Sequence, residues 1–191
     1  MKFNVKVGDF RTEKADAIAL GIFEGETSLN DAPQLADEAT NGAIRELLDS
    51  GDFKGELNQT SLLYTRGAIA APRLALVGLG KKEEFAPEKA RQTAGKIAQE
   101  LRDKGLKTFA VPLPPETSLE IVQAVVERSH LALYQFKQHK KQDLDKVKTL
   151  EAITFLVEDE ASKSAVEAGV KLGEAIANGT ILARDLSNQP P

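Results

Sequence analysis

Residues Arg73–Lys82 read RLALVGLGKK, and the reading of this stretch decides the fold. Leu74, Ala75, Leu76 and Val77 form an unbroken apolar run, the pattern of a strand covered on both faces rather than one with a solvated side. A strand of that kind needs helices above and below it. Gly78 and Gly80 then allow a sharp turn or a close backbone approach, and the charged residues Lys81–Glu84 return the chain to solvent. Open α/β sheets place ligands at such carboxyl ends of their strands.

Toward the N-terminus, Ser61–Thr65 (SLLYT) reads as a strand joined to the central one through Arg66–Pro72, a link short enough for neighbours. Before it, Leu35, Ala39, Ile44, Leu47 and Leu48 make one apolar helix face, with Pro33 at a first helical position, Asp31 as a candidate cap and Gly51 as the stop. Ala15–Phe23 reads as a buried strand. Phe3, Val5 and Val7 alternate with Lys2, Asn4 and Lys6, as in an edge strand with one wet face.

Toward the C-terminus, Pro87 starts a helix with Ala90, Ala94, Ile97, Ala98 and Leu101 inward and Gly105 at its close. Ala86 stands where a Ser or Thr cap is expected. A strand over Lys107–Val111 is stopped by Pro112, Pro114 and Pro115, after which Thr117 or Ser118 can cap a helix burying Ile121, Val122, Val125, Ser129, Leu133 and Phe136. Lys137–Lys148 reads as a solvated connection of mixed charge. Leu150–Val157 is the last strand. A long helix over Glu160–Ser187 then turns Ala165, Val166, Gly169, Val170, Gly173, Ile176, Ala177 and Ile181 inward, its glycines permitting close packing on the sheet. The order predicts a three-layer α/β/α fold around a mixed sheet of about six strands, one domain over residues 1–191.

At 191 residues the chain can bury roughly 70% of its unfolded surface without a staple. It has no Cys, which removes disulfides, thiolate zinc sites and a cysteine nucleophile and suits an intracellular protein. With no secretory leader pattern and no long apolar run, a cytoplasmic location without membrane attachment is expected. The sequons at Asn58 and Asn178 would need that missing secretory route. A net charge of −4 and 5% aromatic residues give no footprint for nucleic acid.

The residues yield little chemistry. The GLG turn lacks the third glycine of the dinucleotide fingerprint, and a phosphate loop would need glycine at Ala75 and Ser or Thr at Lys82. His130 and His139 form no HExxH pair, and Ser129 and His130, adjacent on a helix, point in different directions. No GxSxG elbow occurs. No catalytic, cofactor-binding or metal-binding residue is assigned.

Four stretches nevertheless form a set: Gly51–Glu56 (GDFKGE), Arg73–Phe85 (RLALVGLGKKEEF), Leu131–Lys140 (LALYQFKQHK) and Ala183–Pro191 (ARDLSNQPP). The last three, in this order and spacing, resemble the N-terminal domain of the leucyl aminopeptidase (cytosol aminopeptidase) family, the final one resembling the junction to its second domain, and GDFKGE also resembles that family's loop after its first helix. The resemblance implies a macro-like α/β/α domain and an absent C-terminal catalytic domain. There a lysine in a VGKG-type segment and acidic residues including an NTDAEGR segment would bind two divalent metals, zinc or manganese. Neither segment occurs in these residues. In the parent enzyme a metal-activated water would attack the first peptide carbonyl. By the same resemblance this chain is a non-catalytic part of a homo-hexamer, serving assembly or access. A rival reading is a stand-alone macro-like module binding ADP-ribose or another nucleotide at Gly78–Gly80. A nucleic-acid role would rest on Lys137, Lys140 and Lys141, against the acidic balance.

Overall fold

A computed structural model describes residues 1–26, 28–29, 31–134 and 148–188. The elements are β1 (Lys2–Val7), β2 (Ala17–Ile22), α1 (Asp31–Ala39), α2 (Ala43–Ser50), β3 (Thr60–Tyr64), β4 (Arg73–Gly78), a short 3-10 turn (Lys82–Glu84), α3 (Pro87–Asp103), β5 (Thr108–Pro112), α4 (Leu119–Ala132), β6 (Ala152–Val157) and α5 (Glu160–Ser187). The six strands lie in the order β1-β6-β5-β2-β4-β3. All neighbours are parallel except β3, which runs antiparallel to β4 at one edge. The mixed α/β architecture expected from the sequence is the one observed, with β1 at the other edge.

Alternation along the strands builds two cores. Ala17 and Ala19 of β2, Ala75 and Val77 of β4, and Ile153, Phe155 and Val157 of β6 face one way, onto α3, α4 and α5. Ile18, Leu20 and Ile22 of β2 and Leu74 and Leu76 of β4 face the other, onto Ala36 of α1, Ile44 of α2 and Phe53. Both faces are covered, so the central strands read as continuous apolar runs.

Several expectations are corrected. The single helix from Pro33 to Leu48 is two: Asn41 (φ 56°) and Gly42 (φ 86°) take left-handed backbone and break it, and Leu35 is left exposed. Helix α1 begins at Asp31, so Pro33 falls in its first turn, where the missing N–H costs nothing. In α5, Ala165 and Ile176 face solvent rather than the core. Gly169 and Gly173 pack against α4, not the sheet: a Cβ on them would lie 2.9 Å from Val122 Cβ and 2.8 Å from Val126 Cβ. Helix α4, held between α3 and α5, buries Val122, Ala124, Val126 and Ser129, while Ile121, Val125 and Leu133 are half-buried. Phe136, His139 and the lysines from Lys137 to Lys146 lie outside the described residues.

Helix starts follow local chemistry. Ser118 caps α4, its hydroxyl accepting from the Ile121 N–H at 3.4 Å. Asp159 caps α5 through the Ser162 N–H at 2.7 Å. Ala86 precedes α3 in extended backbone with no side-chain cap.

Candidate functional site

The glycine turn after β4 is locked to the loop between α2 and β3. Gly78 N–H donates to Gln59 O (2.8 Å), Leu79 N–H to Ile22 O (2.9 Å) and Gly80 N–H to Gly55 O (3.0 Å), while Gly78 O accepts from Asn58 N–H (3.0 Å). A Cβ on Gly78 would lie 2.0 Å from Glu56 O, and one on Gly55 (φ 75°) 2.4 Å from Phe23 O. The glycines are therefore required by close backbone approach. With all three turn amides paired internally, the turn has no N–H to offer a phosphate, the donor that a nucleotide reading at Gly78–Gly80 needs.

A second clasp joins α4 to the end of α5. Tyr134 Oη donates to Asp185 Oδ1 at 2.5 Å, and the Arg184 guanidinium lies over the Tyr134 ring, 5.7 Å from its centroid. The hydrogen bond to Asp185 holds the Tyr134 phenol above its ordinary pKa. Ser129 is buried nearby. His130 Nδ1 is buried with no hydrogen-bond partner among the described residues, and its ring meets Phe3 edge-on, centroids 6.2 Å apart. The described partners of His130 are thus packing partners.

A cleft opens at the carboxyl ends of the parallel strands. The β2–β5 ladder holds only at Ala17↔Phe109 and Ile18↔Ala110, although β2 continues to Ile22 and β5 to Pro112. Pro112 has no N–H to extend it, and the next amide, Leu113 N–H, turns to Leu156 O at 2.9 Å. The chain leaves β2 toward α1 on one face and β5 toward α4 on the other. This is a topological switch point, where a crevice forms between diverging connections. It is a half-open space of about 1360 Å³, larger than the roughly 300–1,000 Å³ of an ordinary small-molecule pocket. Half-buried Phe23, Leu79, Phe85, Val111, Leu113 and Ile121 line it.

Comparison with known proteins shows what these features belong to. The family profile described as cytosol aminopeptidase family, N-terminal domain, matches residues 19–143. The chain belongs to that family. A probable cytosol aminopeptidase of Alkaliphilus oremlandii is 33% identical over 194 residues, covering 100% of this chain and 39% of the relative. As an N-terminal domain of the family, the chain thus spans 39% of the length of such a relative. A tomato leucine aminopeptidase mutant superposes with TM-score 0.79 at 21% identity, over 100% of this chain and 38% of that one. A macrodomain mutant from Oceanobacillus iheyensis superposes with TM-score 0.61 at 10% identity, over 87% of this chain and 89% of its own. Both likenesses establish the fold.

For this cytosol aminopeptidase family domain, the four stretches that carried the resemblance pair off in space. GDFKGE meets the GLG turn, and Tyr134 of the third stretch meets Arg184 and Asp185 of the fourth. Sequence reading missed two anchoring carboxylates. Buried Asp37 accepts from the Ile44 and Arg45 amides, both at 2.9 Å, and so caps α2 from across the break. Asp16 accepts from the Lys107 and Thr108 amides at 2.7 and 2.9 Å, fixing the start of β5 beside β2. The sequence signals for the cleft were the glycine turn at the carboxyl end of β4 and the proline run after β5.

Proposed function

We propose that residues 1–191 form the single, non-catalytic N-terminal domain of a metal-dependent aminopeptidase, a cytoplasmic enzyme releasing N-terminal amino acids from peptides. Residues 183–191 lead into its C-terminal catalytic domain, and the domain serves assembly of a homo-hexamer or access to its interior. One observation carries this reading. The stretches shared with the family are engaged in backbone and side-chain contacts that hold loops and helices together.

The described residues do not fit a two-metal site: among them no three of His, Asp or Glu come together as a possible ligand set. In this reading the zinc or manganese of such an enzyme, and the hydrolytic step, belong to the C-terminal catalytic domain. No catalytic, cofactor-binding or metal-binding role is proposed for any residue of this chain. Among the described residues no helix is long and apolar enough to cross a membrane.

The test is hydrolysis of a leucyl chromogenic amide by the purified 191-residue chain with manganese or zinc added. The expected rate equals that of the metal-only blank. Turnover above the blank that copurifies with the chain would overturn the non-catalytic assignment.

A further inference from the structure

We infer that the cleft between β2 and β5 is a binding site for a short apolar peptide bearing positive charge. Three independent features of the cleft select that class. Its walls are apolar side chains, among them Phe23 and Phe85, whose rings meet edge to face with centroids 5.3 Å apart.

Its charged lining is one-sided. Among the described residues, Asp9, Glu26, Asp31, Glu116, Glu120 and Glu158 line it against a single base, Lys82. Arg11 pairs with Asp9, which leaves the balance strongly negative. Such a field attracts cations and repels phosphorylated or carboxylate-rich ligands. Lys82 itself lies over the Phe23 ring, 5.8 Å from the centroid, so the mouth already accommodates an ammonium against an aromatic face.

The third feature is the backbone. Beyond Ile18 and Ala110 the ladder between β2 and β5 stops while β2 continues to Ile22, so the unpaired edge of β2 enters the cleft opposite Pro112, which has no N–H to close it. An extended peptide has alternating donors and acceptors to place along that edge. A simple hydrophobic amine has none. The volume also exceeds what one amino acid would fill.

The test is calorimetric titration of the 191-residue chain with three probes: the amide of Leu-Lys-Leu-Leu with a free N-terminus, N-acetyl Leu-Glu-Leu-Leu with a free carboxylate, and ADP-ribose. The basic peptide should bind at least about tenfold more tightly than either anionic probe and weaken as salt is raised. The double variant Glu116→Gln with Glu158→Gln, both exposed and outside the helices, should weaken it severalfold at unchanged thermal stability. Absence of heat up to millimolar peptide, equal affinity for the acidic peptide, preference for ADP-ribose, or binding untouched by the double variant would each overturn the assignment. None of these outcomes bears on whether the chain hydrolyses peptides, so this inference and the aminopeptidase reading fail separately.

Discussion

Gly78 is legible in the sequence as a glycine at a strand end, but not the reason for it. That reason is a backbone, Gly55–Glu56, from a loop remote in sequence. Adding a methyl group there must push two backbone segments apart, so Gly78→Ala should cost about 3 kcal/mol. Urea unfolding would show it, and a loss under about 1 kcal/mol would mean that the loop gives way freely. His130 is a second residue whose setting decides its chemistry. Burial, aided by the N-terminal ammonium and opposed by Glu174, lowers its pKa below the ordinary 6.5. Above that value both folded and unfolded forms are neutral there, and the group contributes nothing. As pH falls through it, the unfolded chain takes up a proton that the folded chain resists, so stability declines. The loss of thermal midpoint between about pH 7.5 and 5.5 should therefore be smaller in His130→Gln than in the parent. Equal losses would show that other groups set the acid sensitivity.

Helix α5 shows what periodicity can and cannot reveal. Its existence and length follow from the apolar repeat, yet the same repeat cannot say whether a small residue faces sheet, helix or water. Gly173 and Gly179 look alike in sequence. In the fold, a Cβ on Gly173 would lie 2.8 Å from both Gln123 O and Val126 Cβ, whereas one on Gly179 meets nothing among the described residues within 4 Å. Gly179→Ala should stabilise by about 1 kcal/mol through helix propensity. Gly173→Ala gains the same propensity but forces α4 away and should come out destabilising by about 1–2 kcal/mol. Denaturant midpoints moving in the same direction would refute this placement of α4. The helix read as one over Pro33–Leu48 failed for a related reason. Its apolar spacing is continuous, but the break at Asn41–Gly42 is secured by Asp37, whose carboxylate accepts two amides of α2. That contact joins positions seven and eight apart through a side chain and two backbone amides, which apolar spacing does not register.

At the scale of the molecule, three layers around a mixed sheet were readable because both strand faces are apolar, and the layers follow from that alone. The cleft was not, because it arises from strand order, which local patterns do not encode. One further surface emerges only from the assembled fold: Leu172, Ile176, Leu182 and Leu186 are 43%, 37%, 60% and 61% exposed along α5. They share a sector of about 120° of the helix, the outline of a packing stripe that none of the described residues covers. In relatives 39% of whose length aligns here, the remaining polypeptide is the natural candidate to cover it. The isolated chain should then bind a hydrophobic dye along this stripe. Leu182→Arg with Leu186→Arg should abolish most of that signal while leaving the chain's own thermal midpoint unchanged, since neither side chain is buried. The same pair in a polypeptide extended to the relatives' length should destabilise it by about 2–4 kcal/mol, because two desolvated leucines become charges. If the extended protein tolerates the pair as easily as the chain alone does, the stripe faces solvent in the whole protein and α5 is only a connector.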